Sequence, residues 1–406
     1  IMLNRTRPEN PGRLQRSIKM APSKTPIRQS ARTDAMRAVF EGAGFVNVEP
    51  PLLQPADVFL DRSGEDIRRR LFVFNDPAGQ ELCLRPDLTI PTCRLYLDGN
   101  AGRGEARLCY SGAAFRYEAQ GSGEANEFIQ TGAEFFGGKD ADAADAEMLA
   151  LTTSAARAGG LEAFNIKLGD LALFDALVDA LDIPAGWRSR LKRHFWRPAY
   201  FKELIARLAT NGSAAATDER GGLIAALAGL DEANALSVIE DVLDLAKIAP
   251  VGGRSVAEIA ERFLERAADQ NAAPLSKDTA KLIDTFLSLS LKPKDAARRL
   301  RELAKGAKIK LDAPIAALER RFELIDKRGV DLGKATFETG FGRKLEYYTG
   351  FVFELSVGDN VFAGGGRYDG LLQSLGAKSR VPAVGCAITL ERLTAAIAAP
   401  KGRAAK

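Results

Sequence analysis

Strand-forming text occupies both ends of this chain, and between about Phe174 and Leu324 it gives way to helix of period near 3.6, broken at Pro184, Asn211-Gly212, Gly252-Gly253, Pro274 and Pro293. The outer blocks read as hairpins rather than strand–helix–strand units. RRRLFVFNDPAGQELCLRPDLTIPTCRLYL turns at Asp76-Pro77-Ala78-Gly79 and enters a helix near Leu88, while RLCYSGAAFRYE and EFIQTGAEFFGG flank the loop Ala119 to Asn126. Further helices are expected over Thr33 to Ala43, over Ala141 to Arg157 and through Glu391 and Leu393, with strands at FNIKLGD and from Lys334 onward. This order argues for an α+β fold, a largely antiparallel sheet flanked by helices and carrying a helical insertion. The expected organisation is a mobile basic arm over 1–30, a first core segment over 31–173, the insertion over 174–324, a second core segment over 325–400 and a tail over 401–406.

With 406 residues, 46% hydrophobic and 27% charged, the chain can bury a large core. It has no run of 18 apolar residues and no apolar stretch behind its basic N-terminus, which points away from a membrane span or secretory signal and toward the cytoplasm. Cys83, Cys93, Cys109 and Cys386 show no CxxC pairing and read as buried thiols. His194 is the only histidine, so no His-based metal site or Ser-His-Asp triad can be assembled, and a surface or helix-cap role is expected for it. Net charge is +4, but the first 38 residues hold nine Lys/Arg against Glu9 and Asp34, and the tail adds Lys401, Arg403 and Lys406. The body between them is acidic and does not offer the basic face that phosphate binding requires. No metal, cofactor or catalytic residue is expected.

Two segments have the composition of a small-molecule pocket built on strands: GFGRKLEYYTGFVFEL (340–355) and AGGGRYDGLL (363–372). Alternation of Leu345, Tyr347, Thr349, Phe351 and Phe353 would send one set to one face of a strand, and Gly364 to Gly366 would let backbone approach closely. Read alone, the pair is an ordinary hairpin with a glycine turn. Together they resemble the two signature motifs of histidyl-tRNA synthetase, Arg-Gly-Leu-Asp-Tyr-Tyr and Ala-Gly-Gly-Arg-Tyr-Asp-Gly-Leu. From roughly Thr33 to Ala398 the order of elements is similar to the class II aminoacyl-tRNA synthetase core, with Phe115-Arg116-Tyr117-Glu118 in the place of motif two and GCAITLER (385–392) in the place of motif three.

The resemblance implies residues for a histidine pocket. Asp87 and Thr89 in RPDLT match the acid and threonine that hold the ligand amine, the acid being one carbon shorter. Gln130 and Glu134 match contacts to amine and imidazole, with Arg116 beside them; Arg343 matches the arginine that meets the carboxylate; Tyr348 and Tyr368 match the aromatic wall. Chemically the set is coherent, with carboxylates for N–H groups, a guanidinium fork for a carboxylate and phenols at the sides. Each residue has a bland alternative: an Arg116–Glu134 ion pair, a turn at Arg85 and Asp87, tyrosines as sheet core.

The departures from the synthetase pattern decide the expected function. The family's motif-two loop reads Gly-Arg-Tyr-Arg-Gln-Phe-His-Gln, whereas residues 123–130 here read GEANEFIQ. Two arginines are replaced, one of them by Glu124, and losing two charge-assisted contacts costs on the order of 3–6 kcal/mol. Thr389 stands where motif three has glycine, and Lys344 and Glu346 stand where the first signature has Gly and Asp. Only 14 residues follow Arg392, so no anticodon-reading domain is expected and tRNA charging is disfavoured. A synthetase core with this pattern resembles the regulatory subunit family of ATP phosphoribosyltransferase. That resemblance implies a non-catalytic partner of the short-form catalytic subunit, active in the first step of histidine biosynthesis, with histidine as feedback effector and a homodimeric core. Two other readings stay open from sequence: a truncated or repurposed synthetase-like enzyme using ATP, and a non-catalytic tRNA-binding sensor module.

Overall fold

A computed structural model describes residues 31–60, 65–100, 104–119, 121, 123–195, 198–209, 274–342 and 347–399, with single positions at 234, 237, 238 and 241. The expected arm, the tail and the Asn211-Gly212 and Gly252-Gly253 breaks lie outside these residues.

Among the described residues twelve strands follow in chain order: β1 (Val46–Asn47), β2 (Leu53–Pro55), β3 (Val73–Asn75), β4 (Glu81–Leu84), β5 (Ala106–Phe115), β6 (Glu127–Phe136), β7 (Asn165–Asp170), β8 (Ser290–Leu291), β9 (Ala335–Glu338), β10 (Phe351–Val357), β11 (Asn360–Arg367) and β12 (Ala383–Thr389). Nine form one sheet in the order β1-β5-β6-β12-β11-β10-β7-β9-β8, and β2-β4-β3 form a small second sheet. The six strands from β5 to β7 in that order are antiparallel, as the hairpin text requires. At either end the sheet is mixed, since β1 runs parallel to β5 and β9 parallel to β7. The turn over Asp76 to Gly79 forms as read: Gly79 has φ 84°, and the Asp76 carboxylate accepts from the amides of Ala78 and Gln80 at 2.8 Å each.

Two readings of local structure need correction. LSLSLK (287–292) alternates with period two inside otherwise helical text, and its Ser290–Leu291 pairs with β9, so a short edge strand interrupts the helical block. The second is the alternating run from Leu345, of whose described residues, 347 onward, only Phe351 onward is strand. Tyr347 to Gly350 precede it as a turn in which Thr349 N–H donates to Arg367 O (2.8 Å) and the Thr349 hydroxyl accepts from Asp369 N–H (3.1 Å).

Alternation along the strands builds a different interior on each face of the sheet. On one face the helix Ala141–Ala158 lies across β11 and β12, flanked by Ala31–Gly42 and Asp312–Lys327, over Phe135, Leu168, Phe353 and Ile388. Asp140 caps this helix through its bond from Ala143 N–H (3.1 Å), and Asp142 sits in its first turn. The opposite face carries Thr89–Asn100 and the small sheet, packing Cys83, Ile90, Cys93, Tyr96 and Phe136 against Tyr347, Tyr368 and Leu372.

A buried ion network fastens the helical layer. Arg321, on Asp312–Lys327, reaches Asp170 at 2.6 Å, Asp142 at 2.8 Å and Asp145 at 2.9 Å, and Asp145 also meets Arg367 of β11 at 2.7 Å. Burial works against the Arg321 charge, and the three carboxylates more than restore it. All four cysteines are free and buried, with Cys83 and Cys386 pushed up to about 12 by burial, so they serve as core thiols. His194 ends the helix Ala185–His194 with its ring against Tyr200, 4.7 Å between centroids.

Candidate functional site

On the face opposite the long helices, β5 and β6 and the turn into Thr89–Asn100 enclose a group of buried polar residues. Glu134 projects from the middle of β6 and has no exposed surface. Its Oε1 accepts from the Tyr110 hydroxyl at 2.9 Å, and its Oε2 accepts from the Tyr368 hydroxyl. Four residues earlier on the same face of β6, Gln130 Oε1 accepts from Leu88 N–H at 2.9 Å, which ties the Arg85–Thr89 segment to the sheet. Asp87 Oδ1 accepts from Ile90 N–H at 3.2 Å, while its buried Oδ2 has no hydrogen-bond partner among the described residues.

Burial raises both carboxylates above their usual range. Glu134 is pushed up to about 8, with hydrogen bonds from Tyr368, Thr89 and Tyr110 offsetting part of the rise and the Asp87 charge adding to it. Asp87 is also raised by burial; Arg116 opposes this most, followed by the backbone bonds from Ile90 and Thr89 and then Arg85. Tyr110 and Tyr368 are held well above the normal phenol range by burial and by the neighbouring Glu134.

Seven of the eight residues expected to form the site are therefore on one side of the sheet, and Arg343 lies outside the described residues. Asp87, Thr89, Gln130, Glu134 and Tyr368 are buried together. Tyr348 is half-buried and edge-on to Tyr368 at 6.5 Å, with Tyr347 between them at 4.8 and 5.6 Å. Arg116 does not pair with Glu134: it donates to Pro86 O at 2.8 Å, covers the Phe128 ring at 5.2 Å and directs its charge to Asp87. Arg85 is structural, spending its guanidinium on Ala113 O at 2.7 Å and on Pro50 O. The arginine of GGGRYDG also belongs to the other face. Strand alternation sends Tyr368 into the pocket and Arg367 to Asp145 and the long helix.

Sequence reasoning passed over Tyr110. Counting in twos from Arg116 along β5 leads through Ala114 and Gly112 to this tyrosine on the same face, and that count was the available signal. It also passed over the role of Gly385, which pairs with Glu134 in the ladder between β12 and β6; a Cβ there would run into Glu134 Oε2. Here glycine is needed for a close approach to the acid.

Beside the pocket, the segments in the places of motifs two and three meet. Arg392 Nε bonds Glu124 Oε2 at 3.3 Å, and the Glu391 carboxylate accepts from Ile129 N–H at 3.0 and 3.1 Å. Arg70 pairs with Glu118. The acid that replaces a loop arginine thus neutralises the motif-three arginine. Among the described residues no group of His, Cys, Asp and Glu could hold a metal ion, and no helix is long and apolar enough to cross a membrane.

The antiparallel six-strand centre, its flanking helices and the buried acid–phenol group define a class II aminoacyl-tRNA synthetase-type core, and the histidyl-tRNA synthetase family model matches residues 20–251 and 235–393. Solved structures with this fold include an ATP phosphoribosyltransferase regulatory subunit/histidyl-tRNA synthetase from Bacillus halodurans C (TM-score 0.62, 21% identity, 90% of this chain and 78% of that one). Another is a histidine–tRNA ligase subunit from Alicyclobacillus acidocaldarius (TM-score 0.55, 24% identity, 98% and 99%). At these identities the likeness concerns the fold. Sequence relatives resolve the branch: the ATP phosphoribosyltransferase regulatory subunit of Rhizobium meliloti is 37% identical over 372 residues, covering 90% of this chain and 96% of the relative. That of Agrobacterium fabrum is 38% identical over 352 residues, covering 86% and 92%. The chain belongs to the ATP phosphoribosyltransferase regulatory subunit family.

Proposed function

We propose that this chain is a non-catalytic regulatory subunit of ATP phosphoribosyltransferase, acting in the cytoplasm in the first step of histidine biosynthesis, and that its synthetase-type pocket takes free histidine as a feedback effector. Its partner is a short-form catalytic subunit, and its core is homodimeric. Asp87, Thr89, Arg116, Gln130, Glu134, Arg343, Tyr348 and Tyr368 are the residues proposed to hold the effector. One observation carries this reading: buried acids and phenols able to grip a small amino acid persist, while Glu124 engages Arg392 beside them. A site built this way favours binding over triphosphate chemistry, because the anion-directed guanidinium is already neutralised within the chain.

The regulatory step then follows from linkage. If histidine binds one arrangement of the heteromer more tightly than another, its presence shifts the population toward that arrangement, with a coupling of about 1–3 kcal/mol. The acidic body and the absence of a basic face in the sequence argue against tRNA as partner. The test is isothermal titration of the purified chain with histidine, run alongside Arg343→Ala, and co-purification with a short-form catalytic subunit. Saturable binding that Arg343→Ala weakens is expected. No heat at millimolar histidine, or histidine-dependent ATP–pyrophosphate exchange by the chain alone, would overturn the assignment.

A further inference from the structure

Arg367 and Tyr368 are neighbours at the end of β11 and serve opposite faces of the sheet. Tyr368 turns its hydroxyl to Glu134, while Arg367 is committed to the helical side. Its Nε donates to Asp145 Oδ1 at 2.8 Å, its Nη2 to Ala141 O at 2.9 Å and its Nη1 to Asp369 Oδ1 at 3.0 Å. Asp369 leads straight back to Tyr368. The same oxygen accepts from Ala383 N–H at 2.9 Å, and Ala383 O accepts from Tyr368 N–H at 2.8 Å. A displacement of the Tyr368 main chain is thus a displacement of Arg367.

On the helical side the contacts continue without a gap to the start of the helix Leu171–Ala180. Asp145 also pairs with Arg321 at 2.9 Å, and Arg321 pairs with Asp170 at 2.6 Å. Asp170 closes β7 and caps that helix, accepting from Ala172 N–H at 3.0 Å. A second connection runs through the turn before β10, where Thr349 N–H donates to Arg367 O at 2.8 Å and Leu171 N–H donates to Gly350 O at 3.1 Å. Arg367, Asp145, Arg321 and Asp170 are all buried. Breaking one of these pairs costs more than a typical allosteric coupling contains, so the group answers a push by moving together rather than by coming apart. A clamp alone would need only Arg321, which already ties Asp312–Lys327 to Asp142 and Asp170. What Arg367 adds is a connection from that clamp to the residue beside Glu134.

We propose that Arg367 is the relay by which occupancy on one face of the sheet reaches the helices Leu171–Ala180 and Asp312–Lys327 on the other. A guest that displaces Tyr368 moves Arg367, Asp145, Arg321 and Asp170 as one body, and the cap of Leu171–Ala180 shifts with them. The effector thereby gains a readout in the helical part of the chain, away from the residues it touches. This rests on the reading that histidine binds beside Glu134 and Tyr368, and the experiment separates the two.

Hydrogen exchange of the full-length chain is followed with and without saturating histidine. In wild type, histidine should slow exchange of amides in Leu171–Ala180 and Asp312–Lys327 by at least about fivefold. Lysine keeps the charge at 367 but not the fork that reaches three acceptors, so Arg367→Lys should bind histidine in calorimetry within about tenfold of wild type while the slowing in both helices falls below about twofold. Arg321→Lys keeps a cation among the acids without the spread that bridges Asp145 to Asp170; it should silence Leu171–Ala180 in the same way, and it carries the test if Arg367→Lys does not fold. A clamp without a relay would lower stability in these variants and leave the histidine-dependent slowing intact. That result, or a wild type that binds histidine with no change in the two helices, would overturn the relay and leave histidine binding standing. Failure of wild type to bind histidine in calorimetry would remove both.

Discussion

Arg321→Met offers the sharpest test of how the helical layer is held to the sheet. The wild-type guanidinium hydrogen-bonds Asp170 and Asp142 and forms an ion pair with Asp145, from 2.6 to 2.9 Å, and its side chain is 7% exposed while that of Asp145 is 0% exposed. Methionine keeps much of the volume and removes the charge, leaving Asp145 with Arg367 alone and Asp170 with the amide of Ala172 at 3.0 Å. Removing one partner of a buried ion pair costs about 3–5 kcal/mol, mostly because the remaining charge is uncompensated. A control lies between the same helix and its neighbour Pro293–Ala307. Glu319 pairs with Arg301 at a surface where the two side chains are 40% and 46% exposed, so Arg301→Met should cost no more than about 1 kcal/mol. Urea unfolding followed by circular dichroism would compare midpoints at constant slope. Equal, small losses for both variants would refute the view that the Arg321 network fastens the layer.

Glu124→Arg should restore a cation in the motif-two loop and release Arg392, strengthening ATP binding by about 1.5–3 kcal/mol, roughly tenfold to a hundredfold, with little change in stability because the pair is exposed. Fluorescent-nucleotide titration reads this, and unchanged ATP affinity would show that the Glu124–Arg392 contact is not what weakens the site. A pH profile of stability tests Glu134. Its folded value, about 8, lies above the ordinary glutamate value of 4.5, so the folded state keeps the proton longer and the stability it contributes is complete below about pH 4.5 and lost as pH rises through 8. Glu134→Gln should therefore match wild type near pH 4.5 and exceed it at pH 8 by an amount on the order of a few kcal/mol; parallel profiles would count against a raised Glu134.

Much of the fold was legible because period-two text is unambiguous in long strands. The ten-residue β5 and β6, the Asp76 to Gly79 turn and the helix ending near Gly42 follow directly from alternation and turn chemistry. Short elements resisted reading for a physical reason. Two residues at Ser290–Leu291 gain strand status only from β9, a partner distant in sequence, and the tyrosines at 347 and 348 are placed by their contact with Tyr368 rather than by their own run. Residue types singled out, through the family motifs, acids and phenols that the fold buries together, but the direction of Arg367 required knowing which face β11 turns to the long helix. Alternation could have exposed Tyr110, because its position relative to Arg116 is fixed by strand geometry. Nothing in the residue order announces that Arg116 serves Asp87 instead of Glu134, since that choice depends on how the Arg85–Thr89 segment folds over the sheet.

Gly385 sits so close under Glu134 that the two positions cannot vary independently. A lineage that keeps the acid is confined to glycine in the neighbouring strand, whereas one that abandons the acid is released to place any small residue there. The history of this corner is thus written twice, once in the acid and once in the bare patch of backbone beneath it, and an exchange at 385 in any descendant would be an early sign that the acid has been given up.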